Sequence, residues 1–540
     1  MAAAIPALRN TGLYKILLLL SLLFFSAPAL TFQYEDRASS FDITRYEINI
    51  EVNDTTNRIQ GVAGINISIS GTAGEVVLDL IGGQGNGAGM TVDSVFKGGE
   101  PVSFTHADNR LALPAPAVDT IVYYRIFYRG IAEDGLIIST NMHGDRTFFA
   151  DNWPNRARHW FPGTDHPSSR AKVDFTVTAP SHYQVIATGI LQKRVSLPGK
   201  RTAHYWSSGT AIPTKVMVFA AAPFAVEFAG YIDGIPYSNW VYPKNAPEGF
   251  KSFAATPDII DYFTGLIAPY PFEKIANVQS TTRYGGMENA GNVFYHEKAI
   301  ATGRDIEYLI VHELAHQWFG NSVSESDWAH LWLSEGLATW LTDWYYGRKH
   351  SMEKLHERMA DHRTRVTEYA NTRLAPVVDH HPDCLTDLLN PNTYQKGSWI
   401  LHMLRREIGD ETLLQGISEF YDTYKGGHAC SENFKEIIEE VAGKDMDQFF
   451  DDWIYSAGHP ILSLSSRFSD GRLTMELVQT QQHKMAFTFP LDVRFVFEDG
   501  SQQDHTFDII FRRHEFVIDV PSEPTEIILD PDIWLLFEER

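Results

Sequence analysis

The stretch YLIVHELAHQWFGN at residues 308–321 places two histidines and a glutamate in an otherwise apolar run. His312 and His316 are four residues apart, so in an α-helix both imidazoles lie on one face. Glu313 is turned by about 100° from His312 around the helix axis, which suits a carboxylate that handles water rather than one that binds metal. A buried imidazole or carboxylate needs a partner. That partner is either a metal ion or other groups of the protein core.

A second acidic residue favours the metal ion. The segment LWLSEGLATW places Glu335 nineteen residues after His316, at the start of another helical pattern. Catalytic zinc sites commonly have three protein ligands and one open position, and two histidines with one glutamate are a standard set. The H-E-x-x-H pattern alone is a weak signal, because it also arises by chance. With Glu335 at this distance, the sequence predicts a zinc ion bound by His312, His316 and Glu335.

The first 29 residues have the pattern of an export signal. Arg9 and Lys15 precede or flank the apolar run ILLLLSLLFF, and small residues around Pro28 follow it. This order predicts cleavage after Ala29 and a periplasmic or extracellular protein. The alternative is an uncleaved segment that anchors the protein in a membrane, because residues 13–30 are about long enough to cross a bilayer.

Composition sets wider limits on the protein. The chain has 540 residues, of which 44% are hydrophobic and 21% charged, so it is an ordinary globular sequence with room for several domains. A net charge of −23 disfavours nucleic acid and anionic membrane surfaces as partners. Cys384 and Cys430 are the only cysteines, too few for a disulfide scaffold, and whether they pair is left open.

The hydrophobic pattern divides the chain into three parts after the export signal. Apolar residues alternate over much of 41–230, recur at helical spacing between about 251 and 442, and alternate again after 460. We therefore expect a multidomain α+β protein. The predicted parts are an N-terminal β domain at 30–245, a mostly helical domain at 246–456 and a small C-terminal β-sandwich at 457–540.

Three further motifs accompany the histidine segment. They are PYPFEKIANV at 269–278, YGGMENAG at 284–291 and PNTYQKGSWILHML at 391–404. Together with HELAHQWFGN and LWLSEG, they resemble the gluzincin zinc aminopeptidases, the family of aminopeptidase N and leukotriene hydrolase. The resemblance is specific from about 265 to 408 and looser elsewhere. It implies an opening β domain, a thermolysin-like catalytic domain and a β-sandwich, in a short form without the helical C-terminal domain of larger members.

The resemblance also implies roles for single residues. His312, His316 and Glu335 would bind one zinc ion per chain. Glu313 would be the general base for zinc-activated water, and Tyr394 would donate a hydrogen bond to the oxyanion. These roles imply a zinc metallo-aminopeptidase that hydrolyses the N-terminal peptide bond of peptides.

The YGGMENAG motif is the part that implies an exopeptidase. Glu288 would bind the free α-amino group of the peptide, which is largely protonated because its pKa is about 7.7–8.0. Glycines in this segment let the backbone approach the substrate closely. The residues implied to bind substrate are Gly285, Gly286, Met287, Glu288 and Asn289.

Two positions depart from the family pattern. Ser334 stands where the family usually has asparagine, and a hydroxyl can make only some of the hydrogen bonds of an amide. Trp153 stands where many members have a second acidic or amide residue for the substrate amine, which leaves Asp151 and Asn152 as substitutes. The residues expected to support the zinc-binding histidines are Thr339, Glu325 and Asp327.

Two other functions are compatible with the same residues. A zinc endopeptidase of thermolysin type would share the metal and the base, and Glu288 distinguishes it from an aminopeptidase. A non-catalytic peptide-binding protein would retain the fold without turnover.

Overall fold

The computed structural model describes residues 40–70, 74–83, 87–116 and 120–540. The predicted export signal at 1–29 lies outside these residues, so cleavage or anchoring stays a prediction. Within the described part of the chain, no helix is both long and apolar enough to cross a membrane.

The alternating residues near the N-terminus form one large sheet. In Phe41–Glu51, for example, buried residues alternate with more exposed ones, so one face of the strand packs on the core. This strand pairs in parallel with Arg170–Pro180 and antiparallel with Arg58–Ile69. In spatial order, the strands are Ile190–Leu197, Arg201–Ser207, Arg170–Pro180, Phe41–Glu51, Arg58–Ile69, Thr120–Ile131, Gly89–Lys97 and Glu100–Val102, with Ile212–Pro213 also paired to Arg170–Pro180.

Two smaller sheets complete the N-terminal part. One has the strand order Gln184–Ala187, Phe219–Ala222, Arg146–Ala150 and Leu136–Thr140. The other has the order Glu75–Asp79, Arg110–Pro114 and Thr105–Ala107. Near the end of this part, a 3₁₀ turn occupies Thr214–Val216 and only Phe219–Ala222 of the following apolar residues forms a strand.

A five-stranded sheet continues into the region that the sequence predicts as mostly helical. Its order is Ala225–Ile232, Ile235–Val241, Ile275–Ser280, Val293–His296 and Gly286–Met287. All six residues of Ile275–Ser280 are buried, so this strand has no alternation that a periodicity argument could detect. The sheet places the YGGMENAG segment at its edge.

Nine helices follow in the described residues. They are α1 (Ala246–Ser252), α2 (Thr256–Leu266), α3 (Glu307–Ala315), α4 (Trp332–Lys349), α5 (Met352–Ala370), α6 (Gly397–Ile408), α7 (Asp410–Tyr424), α8 (Ser431–Ala442) and α9 (Asp447–Phe450). The chain leaves the helical conformation between α1 and α2, and Pro257 lies in the first turn of α2. A π-helical turn at Asn392–Lys396 leads directly into α6. The short strands Ser324–Glu325 and His428–Ala429 pair with each other between these helices.

Helix α4 lies at the centre of this helical layer. Of its 18 residues, 15 are buried, including Trp340, which is fully buried. The backbones of α4 and α6 touch, since a Cβ added at Gly336 would lie 2.9 Å from the Cα of Gly397. This approach brings the start of α4 against the turn that carries Tyr394.

The C-terminal residues form two further sheets, as the returning alternation predicts. One has the order Arg513–Asp519, Arg472–Gln479, Ile461–Ser469 and Glu538–Glu539, and the other Gln502–Ile509, Phe489–Val496 and Glu526–Leu529. Phe507 of one sheet contacts Phe516 of the other at a ring-centroid distance of 4.3 Å. The α+β fold class predicted from the sequence is confirmed, whereas no observation tests the exact domain limits.

Candidate active site

Helix α3 positions His312 and His316, two of the three predicted zinc ligands. Asp305 accepts a hydrogen bond from the backbone N–H of Glu307 at 2.9 Å and so caps the helix start. The helix ends at Ala315, in the middle of the apolar stretch 308–321. His316 still has helical backbone angles (φ −60°, ψ −19°), so it keeps the four-residue spacing to His312 although it follows the last helical residue. Both imidazoles therefore point to one place.

Helix α4 supplies the third member from its first turn. His312 Nε2 lies 3.4 Å from Glu335 Oε2, and His316 Nε2 lies 3.2 Å from the same oxygen. The two Nε2 atoms are 3.2 Å apart. The three predicted ligands, His312, His316 and Glu335, are thus brought together in the structure and form a ligand cluster.

These three atoms fit a zinc ion. Ligand atoms at about 2.0–2.2 Å from a tetrahedral ion lie roughly 3.3 Å from one another, which is the spacing found here. Glu335 Oε2 is buried and has no hydrogen-bond donor among the described residues. A buried carboxylate oxygen without a donor calls for a cation. Two imidazoles and one carboxylate are also a donor set that zinc commonly binds.

Two contacts of the Nδ1 atom fix the orientation of the His316 ring. Its Nδ1 lies 3.1 Å from the backbone oxygen of Phe319 and 3.1 Å from the hydroxyl of Ser334. These contacts on Nδ1 orient the ring so that Nε2 faces the ligand cluster. Gly320, at φ +116°, makes this turn possible, because a Cβ there would lie 2.3 Å from Ser334 Oγ.

The electrostatics of the cluster follow from burial and neighbouring charges. Burial lowers the pKa of His312. For His316, burial acts in the same direction, but the carboxylates of Glu335, Glu288 and Glu313 outweigh it and raise its pKa to about 10. Burial would raise the pKa of Glu335, yet the two imidazoles bring it well below its ordinary value. The site therefore favours positive charge.

Glu313 lies against the YGGMENAG segment rather than in the ligand cluster. A Cβ added at Gly286 would lie only 2.0 Å from Glu313 Oε1. Burial is the main reason that the pKa of Glu313 is raised well above its ordinary value. A carboxylate with a raised pKa is a better proton acceptor near neutral pH.

The loop that carries Glu288 is held by the histidine segment. Gln317 donates a hydrogen bond to the backbone oxygen of Glu288 at 2.8 Å, and Asn321 donates to the same oxygen at 2.5 Å. Gln317 also accepts a hydrogen bond from the N–H of Gly291 at 3.0 Å. The backbone of Glu288 is thereby fixed, whereas its Oε1 atom is buried with no partner among the described residues.

Tyr394 approaches the cluster from the π-helical turn before α6. Its ring stacks with that of His312 at a centroid distance of 6.2 Å. The turn is anchored by Lys396, which is fully buried and donates a hydrogen bond to the backbone oxygen of Gly458 at 2.8 Å. Burial lowers the pKa of Lys396 to about 7.

The predicted ligands and the side chains proposed to act beside them line one cavity of about 400 Å³. Its lining includes the three cluster residues, Glu313, Glu288 and Tyr394. The remaining residues around it are Trp153, Tyr284, Gly285, Gly286, Met287, Leu309 and Leu389.

Comparison with known proteins gives the family. The model described as "Peptidase family M1 domain" matches residues 252–453, and "Peptidase M1 N-terminal domain" matches residues 43–216. The chain belongs to peptidase family M1. The family to which the sequence motifs point is thus confirmed.

Several M1 relatives are named aminopeptidases. The chain is 26% identical over 367 residues to "Aminopeptidase 2, mitochondrial" of Saccharomyces cerevisiae, covering 64% of this chain and 37% of the relative. It is 26% identical over 381 residues to "Glutamyl aminopeptidase" of Bitis rhinoceros, covering 67% and 39% of the two chains. "Aminopeptidase M1" of Arabidopsis thaliana is 24% identical over 485 residues, with 82% and 53% covered. The chain thus spans between about two fifths and half of the length of these relatives.

A solved structure shares the fold. The structure of Legionella pneumophila aminopeptidase A in complex with aspartic acid matches with a TM-score of 0.81 and 16% sequence identity. The match covers 93% of this chain and 60% of that chain. At this identity, the likeness concerns the fold.

The M1 cavity contains most, but not all, of the residues predicted to bind substrate. Gly285, Gly286, Met287 and Glu288 line it, whereas Asn289 is fully buried and is absent from its lining. The sequence motif could not separate Asn289 from its neighbours, because the spacing of residues in a loop does not show which of them face a cavity.

The residues expected to support the histidines have other partners. Thr339 donates a hydrogen bond to the backbone oxygen of Glu335, Glu325 pairs with Lys215 at 2.6 Å, and Asp327 caps a 3₁₀ turn through the N–H of Ala329. Ser334, which the sequence analysis noted only as a departure from the family pattern, contacts the His316 imidazole through its hydroxyl. Gln317 and Asn321 were also missed, although both lie in the quoted histidine segment.

Neither substitute for the missing amine-binding residue reaches the cavity. Asp151 accepts a hydrogen bond from Arg156 at 2.6 Å, and both residues are buried. Asn152 donates to the backbone oxygens of Thr214 and Met217 and accepts from an indole N–H. Trp153 alone of the three lines the cavity.

Replacing Gly286 by alanine is expected to lower turnover by roughly ten- to a hundredfold, because the new methyl group displaces the Glu313 carboxyl and small misplacements of a reacting group are costly. The measurement is kcat for an aminoacyl amide. Gly285→Ala is the matched control, since its Cβ would meet only Leu309 atoms at 3.8 and 4.0 Å. Equal activity of the two variants would contradict the close packing of Gly286 against the base.

Proposed function

We propose that the chain is a zinc aminopeptidase that removes the N-terminal residue from peptides with a free α-amino group. The observation that carries this proposal is the buried, unpartnered Oε1 of Glu288 in the same cavity as the His312, His316 and Glu335 cluster. A protonated amine is the group that such a carboxylate binds best. A substrate held in this way presents its first peptide bond to the cluster.

One zinc ion per chain would be held by His312, His316 and Glu335. When bound, it supplies a Lewis acid that polarises the peptide carbonyl and lowers the pKa of water. The fold of the M1 family and the spacing of the three ligand atoms support this assignment.

Glu313 moves the proton. Its carboxyl faces the cavity beside the ligand cluster, and its raised pKa suits proton transfer near neutrality. It takes a proton from the attacking water and passes it to the nitrogen of the leaving amine. No other carboxylate in the cavity is free for this step, because Glu335 belongs to the cluster and Glu288 binds the amine.

Tyr394 stabilises the negative charge that develops on the carbonyl oxygen. Burial raises the pKa of its phenol well above the ordinary value, so the hydroxyl keeps its proton at neutral pH. It can therefore donate a hydrogen bond, and the stacking of its ring on His312 beside the proposed zinc site supports this role.

A thermolysin-like endopeptidase is the competing function. It needs room for a peptide chain on both sides of the cleaved bond. Glu288 argues against it, because a buried carboxylate in the cavity would face the uncharged backbone of a longer substrate. A non-catalytic peptide-binding protein would not need Glu313 packed so closely at the cavity.

The protein is proposed to act after export, in the periplasm or outside the cell. The basic, apolar and small-residue order of residues 1–29 supports this location. Contact with a membrane is expected only if that segment is retained. Nucleic acid is not a proposed partner, given the net charge of −23.

A panel of fluorogenic aminoacyl amides, each free and N-acetylated, tests the proposal. The amides are incubated with the full-length protein before and after removal of the metal by a chelator, and zinc is then added back. Cleavage limited to free amines, lost on chelation and restored by zinc, supports a zinc aminopeptidase. Cleavage of the acetylated set supports the endopeptidase, and zinc binding without any turnover supports the binding protein.

Replacing Glu288 by alanine is expected to lower kcat/KM for free-amine substrates by about 10- to 100-fold, because a hydrogen-bonded charged partner of the amine is lost. Cleavage of N-blocked substrates, if any occurs in the wild type, should change far less. Glu288→Gln is the matched variant, since it keeps the size of the side chain and removes only its charge. Equal losses on free and blocked substrates would contradict the amine-binding role of Glu288.

A further inference from the structure

We propose that the pocket for the N-terminal side chain accepts apolar residues and excludes acidic ones, and that Trp153 is the residue that determines this preference. The proposal rests on the aminopeptidase function above and adds the class of peptide that the site takes. It is argued from the lining of the cavity, from the charges around it and from the contacts that hold Trp153.

The part of the cavity that is left for the side chain of the N-terminal residue is lined mostly by apolar residues. The cluster and Glu313 face the peptide bond, and Glu288 faces the amine. The side chain branches from the carbon atom between amine and carbonyl, so it must contact the other lining residues. These residues are Trp153, Tyr284, Met287, Leu309 and Leu389, besides two glycines. Such a surface gains free energy by covering an apolar side chain.

Three carboxylates and the two histidines of the proposed zinc site line the cavity. Glu288, Glu313 and Glu335 are all carboxylates, and no lysine or arginine is among the lining residues in the described part of the chain. Away from the zinc site, which faces the peptide bond, a substrate carboxylate would lose its hydration without gaining a lysine or arginine partner. Such a group is strongly disfavoured in a buried site.

The cations nearest along the chain have acidic partners elsewhere. Arg283, which precedes the lining residue Tyr284, pairs with Asp134 at 2.6 Å and is half exposed. Arg156, three residues after Trp153, pairs with Asp151 at 2.6 Å. Neither guanidinium is left to bind an acidic side chain in the cavity.

Trp153 is held firmly as part of the wall. It is 3% exposed, and its ring meets that of Trp328 edge-on at 5.8 Å. Its backbone oxygen accepts a hydrogen bond from Arg156 at 2.5 Å. Because an indole has an N–H donor and no acceptor, it cannot bind an ammonium group through a hydrogen bond. Trp153 therefore contributes aromatic surface for a side chain, together with one buried indole N–H that has no partner among the described residues, while Glu288 supplies the negative charge for the amine.

The expected preference for apolar side chains differs from the acidic residues that appear in the names of two similar proteins. One relative is a glutamyl aminopeptidase, and the solved structure with the shared fold contains aspartic acid. Both names concern acidic residues. The apolar and acidic lining of the present cavity leads to the opposite expectation for this chain.

The test compares free-amine amides of leucine, phenylalanine, alanine and glutamate, the last with its γ-carboxylate free. The wild type is expected to show a kcat/KM for leucine about 100-fold above that for glutamate. Trp153→Ala should lower kcat/KM for leucine and phenylalanine about tenfold and leave alanine nearly unchanged, because only larger side chains reach the indole. Trp153→Phe, which keeps an aromatic wall, should stay within about threefold of the wild type for all of them.

Binding is measured in parallel, so that the pocket is tested even without turnover. Calorimetry with leucine amide and glutamate α-amide should show tighter binding of leucine amide to the zinc-loaded wild type, and the preference should shrink in Trp153→Ala. Thermal unfolding of each variant establishes that it is folded.

Each result bears on one of the two proposals. Glutamate handled as well as leucine overturns the apolar preference, and an equal loss on all substrates in Trp153→Ala overturns the role of Trp153. Cleavage of acetylated substrates, or no cleavage at all, overturns the aminopeptidase function instead. In that case, the relative binding of the two amides still supports or overturns the pocket inference.

Discussion

Replacing Glu313 by glutamine is expected to lower kcat for a leucine amide by about 10²–10⁴-fold, the usual contribution of a general acid–base group. Glutamine has nearly the same size and fits beside Gly286, but its amide cannot accept a proton from water. The three zinc ligands are unchanged, so zinc should remain at one per chain. The measurements are kcat and the metal content of the purified variant.

A second glutamate of the same helix provides the control. Glu307 lies in the first turn of α3 and pairs with Lys349 near the surface. Glu307→Gln should keep activity close to that of the wild type. If Glu313→Gln were as active as this control, another group would have to be the base.

Replacing Asp343 by alanine is expected to lower the free energy of unfolding by about 3–5 kcal/mol, as is usual when one member of a buried charged group is removed. Asp343 is fully buried in α4 and accepts hydrogen bonds from His362 at 2.8 Å, Ser398 at 3.1 Å and Tyr308 at 3.3 Å. It also pairs with Arg358. The variant would leave these groups buried with no acceptor. Denaturant unfolding at pH 7 measures the loss.

The same variant should change the dependence of stability on pH. Burial would raise the pKa of Asp343, but the charges of His362 and Arg358 outweigh it and hold the pKa below its ordinary value. The carboxylate thus stabilises the fold at pH values above about 4, and this stabilisation is lost as the pH falls through the lowered pKa. The difference between wild type and Asp343→Ala should therefore narrow at low pH. Asp361→Ala, in an exposed pair with Arg365, is the control and should unfold like the wild type.

The ligand cluster could be predicted because the relative position of its two histidines depends only on helix geometry over four neighbouring residues. The spacing of His312 and His316 requires only that the backbone between them is helical. This holds although α3 ends at Ala315, because His316 keeps helical backbone angles. Glu335 required one further assumption, that a second helix starts near the first. The close contact of Gly336 with Gly397 shows what the spacing could not reveal, namely that α6 fixes the position of that helix.

The residues around the cluster were harder to predict because their contacts join distant parts of the chain. Gln317 holds the loop of Glu288, 29 residues away, and no periodicity links such positions. Trp153 comes from the N-terminal part of the chain and reaches a cavity built mostly from residues after 284. The buried strand Ile275–Ser280 was missed for a different reason, since a strand covered on both faces has no alternation.

Lys396 connects the turn that carries Tyr394 with a part of the chain about 60 residues further on. Its ammonium group is bound by backbone oxygens at Ser456 and Gly458, where the chain leaves the helices for the last two sheets. The tyrosine two residues earlier therefore keeps its place only while that junction is intact. Removing the residues after the helical layer would also remove Gly458 and its contact with Lys396, so we expect the C-terminal sheets to be needed for the position of Tyr394.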